Sequence, residues 1–283
     1  MWWFMLPSFL VMAAVLLFPV GAAIYYSVLA FYLDGTPTHF VALQNYIELL
    51  RDDRFWGDLL NTVILVTCGV LLQLVIGLAL ALALFALKRG ARSFLLLNFL
   101  PLVVTPVVGA IFLKWIFVSR WGLLDATLIA YDIFPPNWLG SPIWAMISLV
   151  LADTWKFMPF FMLVLYAGLQ SFDMETLSAA AVDGANGWQR LRYIILPMMK
   201  PLILFVVAMR MMDAFRFFDL VYILTGGGPG SSTETITLYT YFIGFEKLDI
   251  GKSSALGVIT VLIVSVLTAA IVYVVQRRGR QVL

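Results

Sequence analysis

The sequence predicts an all-α membrane protein of six transmembrane helices. Three observations carry this reading. Of its 283 residues, 63% are apolar and only 12% are charged; the mean hydropathy is +0.98; and six stretches are long and apolar enough to cross a bilayer. A soluble globule of this length needs far more polar material to face water. A helix rises about 1.5 Å per residue and the hydrocarbon core is about 30 Å thick, so one crossing takes about 20 mostly apolar residues. The stretches run from Phe4 to Phe31, Leu59 to Leu87, Phe94 to Val118, Ile143 to Leu169, Leu202 to Leu224 and Ser254 to Gln276. The first has no basic residues before it and exceeds the apolar region of a secretory signal, so it reads as a retained helix.

Basic residues sort the connections into two sides. Lys88, Arg89 and Arg92 follow the second stretch, Arg190, Arg192 and Lys200 follow the fourth, and Arg277, Arg278 and Arg280 follow the sixth. The opposite connections hold Arg51, Arg54, Arg120, Lys247 and Lys252 together with most of the acids. Nine basic residues against five predict a cytoplasmic membrane protein with both termini inside. The near-balanced net charge of +2 offers nothing to nucleic acid. Cys68 is the single cysteine and can form no intrachain disulfide, and the single histidine, His39, lacks neighbours at metal-ligand spacing. No Ser/His/Asp set or isolated pair of carboxylates converges on a catalytic site, so neither a catalytic nor a metal site is expected. None of the connections has room for an independent domain, and the whole of 1–283 reads as one transmembrane domain.

The connection from Ser171 to Pro201 is unlike the rest of the chain. Asp173 is placed to cap a helix, Ala179 to Ala181 favour its continuation, and Gly184 supplies the left-handed residue that ends it. Trp188 to Leu196 form a second amphipathic segment, expected to stop at Pro197. Small alanines beside a glycine leave a shallow surface on which another protein can close. From the residues alone, this is equally an ordinary interfacial hairpin.

The run Ala179-Ala180-Ala181-Val182-Asp183-Gly184-Ala185, followed by Trp188, Gln189, Arg190, Ile195, Leu196, Pro197 and Pro201, resembles the coupling-loop signature of binding-protein-dependent ABC importer permeases. The resemblance covers nearly the whole chain and points to the carbohydrate branch. It includes Asn45-Tyr46, Phe55-Trp56, Asn61-Thr62, Pro101, Pro106, Trp115 and Gly122-Leu123. It is most extensive from Asp213 through the glycine-rich stretch to Gly230, with Ser232 to Thr235 and Tyr241 after it. What it implies is a permease subunit that moves a carbohydrate by alternating access, with a coupling helix between the fourth and fifth spans. The implied partners are a second permease subunit, two ATP-binding cassette subunits and an extracytoplasmic solute-binding protein, with membrane lipid around them. ATP and Mg then belong to the ATPase, and this chain carries no cofactor. The coupling surface implied is Glu175, Ser178, Ala179, Ala180, Asp183, Gly184, Ala185 and Pro197. The family's usual acidic residue before the alanines is Ser178 here; Glu175, one helical turn earlier, is placed to take over part of that charge contact.

The glycines from Thr225 to Gly230 do not make a nucleotide loop, because no G-x-x-x-x-G-K-[ST] pattern is present and the segment falls on the outer side. The intramembrane charges are a stronger signal. Asp153, Lys156, Arg210, Asp213 and Arg216, with Asp219 nearer the outer end, fall in predicted spans, as does Lys114. Each charge at the bilayer centre costs about 2.5–3.5 kcal/mol even on the lenient insertion scale, so these groups must face protein or water. Asp153 with Lys156, Arg210 with Asp213, and Arg216 with Asp219 are spaced for neutralisation within one helix. Arg210 and Asp213 are also expected to reach Asp153 or Lys156 across the bundle and to border a wet pathway. A purely structural role for these pairs stands beside that one, and an ATP-independent carrier or channel remains the alternative function.

Overall fold

The computed structural model describes residues 2–87, 90–172 and 174–279. It is helical almost throughout. The helices are α1 (Trp2–Ser27), α2 (Gln44–Arg51), α3 (Asp53–Ala86), α4 (Ala91–Val103), α5 (Pro106–Phe117), α6 (Leu123–Ala130), α7 (Pro142–Gln170), α8 (Met174–Val182) and α9 (Gly187–Arg190). A π-helical segment, Leu191–Ile195, joins α9 to α10 (Leu196–Ala214). Then come α11 (Asp219–Leu224), α12 (Ile236–Tyr241) and α13 (Ile250–Gly279), with a second π segment, Phe242–Glu246, after α12. The strands β1 (Leu29–Ala30) and β2 (His39–Phe40) pair antiparallel.

Five helical stretches are long and apolar enough to cross a membrane, and the bent pair α4–α5 makes a sixth crossing if counted as one. This pair departs from the single rod expected between Phe94 and Val118. Val104 and Thr105 are extended and Pro106 opens the second helix, which leaves the two axes 98° apart. Proline fixes its own φ and pushes the residue before it out of the helical region, so the chain turns where Thr105 meets Pro106. The fifth crossing also differs. It runs from Gly187 to Ala214 instead of Leu202 to Leu224. A turn follows, in which Arg216 N–H donates to the Asp213 carbonyl, and a new helix starts at Asp219, where the helix dipole favours an acid.

By its internal packing the chain forms two compact units, residues 1–62 with 234–266 and residues 63–233 with 267–283. The first is built on a cluster of Leu49, Phe55, Ile236, Tyr239, Ile243, Ala255 and Leu256, all buried. Polar groups close its edges. Asn45 donates to the carbonyls of Ser27 and Leu29, and the Thr62 hydroxyl accepts from the Ile236 N–H. Arg54 grips both oxygens of buried Glu234, at 2.8 to 3.1 Å, and stacks over Tyr239. Tyr239 in turn donates to Asp52. Burial lifts Glu234 above the usual carboxylate range, although Arg54 pulls it the other way. For Asp52 burial acts in the same upward direction, but the Tyr239 hydroxyl, the Arg54 N–H and the charges of Lys252 and Arg54 outweigh it and hold the carboxyl low.

In the second unit one face of α3 is Gly69, Gln73 and Gly77, four residues apart and all buried. It meets α7 closely. A Cβ on Gly77 would sit 2.5 Å from Phe161 Cβ and 3.0 Å from the Met162 nitrogen. Glycine here is a packing requirement. Helices α4, α10 and α11 also pack on α7, which places it at the centre of this unit.

Two outcomes follow from this packing. Gly77→Ala forces α3 away from α7 and should destabilise the detergent-solubilised protein by about 1–3 kcal/mol, read as a lower thermal midpoint, whereas Gly57→Ala, which meets nothing within 4 Å, should not. Tyr239→Phe removes a charge-assisted hydrogen bond between buried Tyr239 and half-buried Asp52, which contributes about 1 kcal/mol. Because the folded state holds Asp52 low, that contribution is complete above the ordinary carboxyl value of about 3.9 and is lost as pH falls through the folded one. The difference in thermal midpoint between wild type and Tyr239→Phe should therefore be present at pH 7 and shrink towards pH 3.

Candidate functional site

The polar residues of α3, α7 and α10 meet inside the second unit. Asp153 is fully buried, and its Oδ1 accepts from Arg210 Nη2 at 2.6 Å while its Oδ2 accepts from Gln73 Nε2 at 2.6 Å. The ring closes through Arg210 Nε, which donates to Gln73 Oε1 at 3.2 Å. Each group satisfies the next, as three buried polar side chains in an apolar bundle must. Gly69 makes room for it, since a Cβ there would stand 2.8 Å from Asp153 Oδ2. Above and beside the guanidinium lie Phe157 and Phe217, whose ring centres are 3.8 and 4.8 Å from Arg210 Cζ. Their faces add cation–π attraction in a dry setting.

From this buried ring the charge pattern steps outward. Arg210 Nη1 also donates to Asp213 Oδ2 at 3.2 Å, and Arg216 Nη2 donates to Asp213 Oδ1 at 3.1 Å. The Arg210 side chain is 2% exposed, Asp213 48% and Arg216 78%. The series thus runs from a dehydrated pair to an accessible one. A cavity of about 410 Å³ borders Phe157, Phe160, Arg210, Asp213 and Arg216. Another, of about 310 Å³, is bordered by Lys156, Asp213, Arg216, Phe217 and Asp219. Both are bordered by aromatic rings and charged side chains together.

Two of the pairs expected within one helix are replaced by others. Lys156 turns from Asp153 to the carbonyl oxygens of Val104, at 2.6 Å, and Pro101, at 3.4 Å. These are freed where α4 ends, and a buried ammonium meets them as a cap. Arg216 pairs with Asp213 instead of Asp219, because the helix ends at Ala214 and Asp219 belongs to the next one. Gln73 was not singled out from sequence. Its signal is a lone amide between two glycines at helical spacing within an otherwise apolar run.

The 171–201 connection is a second constructed surface. Helix α8 ends in a pair of crossed hydrogen bonds, Ala185 N–H to Ala180 O at 2.9 Å and Gly184 N–H to Ala181 O at 3.2 Å. Gly184 has φ +84°, which glycine adopts without a Cβ penalty. Asn186 then opens α9 with a reciprocal cap: its side chain accepts from Gln189 N–H, and Gln189 Oε1 accepts from Asn186 N–H. Two helix ends are therefore fixed within a few residues, which sets the angle between α8 and α9. Ser178, Ala179, Asp183 and Gly184 are exposed, Ala180 and Ala185 are half-buried, and Val182 is 88% exposed. The side chain of Glu175 and the whole of Asp173 lie outside the described residues, as do Lys88, Arg89 and Arg280. Pro197 does not stop the second helix as expected. The π segment before it ends with Leu196 N–H bonded to the Leu191 carbonyl, and this wider turn admits the proline ring in the first turn of α10.

The glycine-rich stretch after α11 forms a turn cluster. Gly226, Gly227 and Gly230 have positive φ, and the Thr233 hydroxyl donates to the Gly228 carbonyl at 2.7 Å.

Residues 73–281 match the family model described as "Binding-protein-dependent transport system inner membrane component". The chain is 36% identical over 242 residues to the trehalose/maltose transport system permease protein MalF of Thermococcus litoralis, covering 86% of this chain and 81% of the relative. It is 33% identical over 277 residues to the sn-glycerol-3-phosphate transport system permease protein UgpA of Yersinia enterocolitica, covering 97% and 93%. A chain of the crystal structure of a bacterial alginate ABC transporter, in complex with an alginate pentasaccharide-bound periplasmic protein, shares the fold, with a TM-score of 0.85 at 18% identity, covering 98% of this chain and 93% of that one. With its helices, its bent third crossing and the family match spanning the ion network and the α8–α9 connection, the chain is a multi-pass membrane protein that belongs to the inner-membrane permease components of binding-protein-dependent ABC transporters, which are transport subunits and not enzymes.

Proposed function

We propose that this chain is one half of the pore of an ATP-driven carbohydrate importer and that the loop 171–201 transmits the ATPase stroke to it. The observation that carries the reading is the local geometry of that loop. A helix with an exposed face of small residues is clamped at its C-terminus and followed at once by a capped second helix that continues into a membrane span. Such a lever can transmit a push without bending at the joint. Ser178, Ala179, Ala180, Asp183, Gly184 and Ala185, with Glu175 ahead of them, form the contact with the ATPase, and Pro197 lies where the lever enters the span. The carbohydrate class is supported by the named substrates of the relatives and by the aromatic and charged borders of the two cavities.

In this reading the whole of 1–283 is one permease domain with both termini in the cytoplasm. A second, related permease subunit completes the pore as a heterodimer, two ATP-binding cassette subunits bind ATP and Mg, and a solute-binding protein delivers the cargo outside. Transport proceeds by alternating access. Asp153, Lys156 and Arg210 hold the helices in register, while Asp213, Arg216 and Asp219 face the pathway.

Uptake of labelled carbohydrates into proteoliposomes holding this chain, its partner permease, the ATPase and the capture protein tests the whole scheme: one compound should accumulate only with ATP. Accumulation without ATP or ATPase overturns it in favour of a secondary carrier. In the same system Asp213→Ala should lower uptake at least tenfold with assembly retained, whereas Arg210→Ala, which strands Asp153 in the bundle, should also lower the thermal midpoint; unchanged uptake and apparent affinity in Asp213→Ala remove that residue from the pathway. Gly184→Leu strains a left-handed position by about 1–2 kcal/mol and should weaken co-purification of the ATPase about tenfold. Normal docking and coupled transport in that variant remove the loop from its role.

A further inference from the structure

Behind α8, apart from the ion network, lies a cavity of about 600 Å³. Leu82 and Phe85 from the end of α3, Leu177 from α8, and Leu191 and Ile195 from the π segment supply most of its wall. Leu191 and Ile195 are the first and last residues of that segment, whose wider turn spreads the side chains and opens the space. The wall is apolar except for Ser178 and Arg190. Arg190 is half-buried, and its Nε is shielded from solvent with no hydrogen-bond partner among the described residues. A buried guanidinium N–H without an acceptor is exceptional in a folded protein and marks a place where an acceptor binds.

From this combination we propose that the cavity is a binding site for one anionic phospholipid, its phosphate on Arg190 and an acyl chain along Leu82, Phe85, Leu191 and Ile195. The guanidinium fork matches phosphate oxygens. Free phosphate would leave the hydrocarbon wall uncovered, and a neutral lipid would bring no net charge to Arg190. The site lies at the end of the α3 span, where Leu87 is exposed beside it, and a lipid would enter laterally from the bilayer. A cavity in the range of about 300–1,000 Å³ is that of ordinary ligand sites. The bound lipid underlies α8. This goes beyond the coupling reading: the lipid packs against Leu177, and Ser178 stands at the edge that the cavity shares with the ATPase contact.

The test uses the chain with its partner subunits in nanodiscs of phosphatidylcholine doped with photoactivatable phosphatidylglycerol, with labelled peptides mapped after illumination. Label should concentrate on the segments around Leu82 and Arg190, and excess phosphatidylglycerol should compete at least fivefold better than phosphatidylcholine or inorganic phosphate. Arg190→Gln, and separately Leu82→Trp, which fills the space, should each cut the label at least fivefold. Equal competition by phosphatidylcholine, competition by inorganic phosphate alone, label insensitive to both variants, or label that appears only when the ATPase is omitted overturns the lipid site; the last assigns the cavity to a protein partner. Co-purification of the ATPase from the same preparation separates the two readings: docking without label overturns the lipid site alone, and label without docking overturns the coupling role alone.

Discussion

Burying a guanidinium among apolar helices is affordable only if every N–H finds an acceptor and the charge finds a counter-charge. Arg210 meets that demand with three elements at once: Asp153 from α7, Gln73 from α3 and Asp213 from its own helix. Removing any one partner from such a group leaves an uncompensated polar atom, so the three helices are held in one register by a requirement that packing alone could not impose. Close approach is the other half of the arrangement. Gly69 and Gly77 remove the Cβ atoms that would otherwise keep α3 away from α7. Membrane helices have no hydrophobic drive to associate, and small residues with a satisfied polar bridge are the physical substitute.

The same network grades from dry to wet along Arg210, Asp213 and Arg216. The inner members fix the geometry, and the outer members, Asp213 and Arg216, border the two cavities together with Phe157. The α8–α9 connection follows a comparable logic at the membrane boundary, with rigid ends and an exposed middle. Rigidity in the connection comes from hydrogen bonds that close two helix ends at Gly184 and Asn186, and in the bundle from a side-chain ring for which Gly69 clears the space.

Much of this was legible in the residues. Apolar run length located the first, second, fourth and sixth crossings, because bilayer thickness is a hard constraint on sequence, but it missed the bend in the third and placed the fifth too far along the chain. The capping role of Gly184 was readable, since few residues other than glycine take a positive φ at a helix end. The intramembrane charges announced themselves by their cost. What the linear reading missed were facts of three dimensions. Spacing of three residues offered Lys156 to Asp153 and Asp219 to Arg216, but the break at Thr105 and the helix end at Ala214 changed which acceptors were near. Pro197 read as a stop because the rule assumes an α-helix, and the π turn before it removes the clash. Gln73 was overlooked because an amide carries no charge to count, although its position between two glycines on one face was visible.

Lys156 gives the bent third crossing a further meaning. Its ammonium, hydrogen-bonded to the carbonyls of Val104 and Pro101, takes the place of the water that would cap a helix end outside a membrane. The third and fourth crossings are therefore joined through one side chain: a chimera that borrowed the fourth from a relative without a cation at that position would leave the carbonyls of Val104 and Pro101 without this partner. Any exchange of segments between such permeases has to move α4 and α7 together, and has to bring with them the amide and guanidinium that Asp153 takes from α3 and α10.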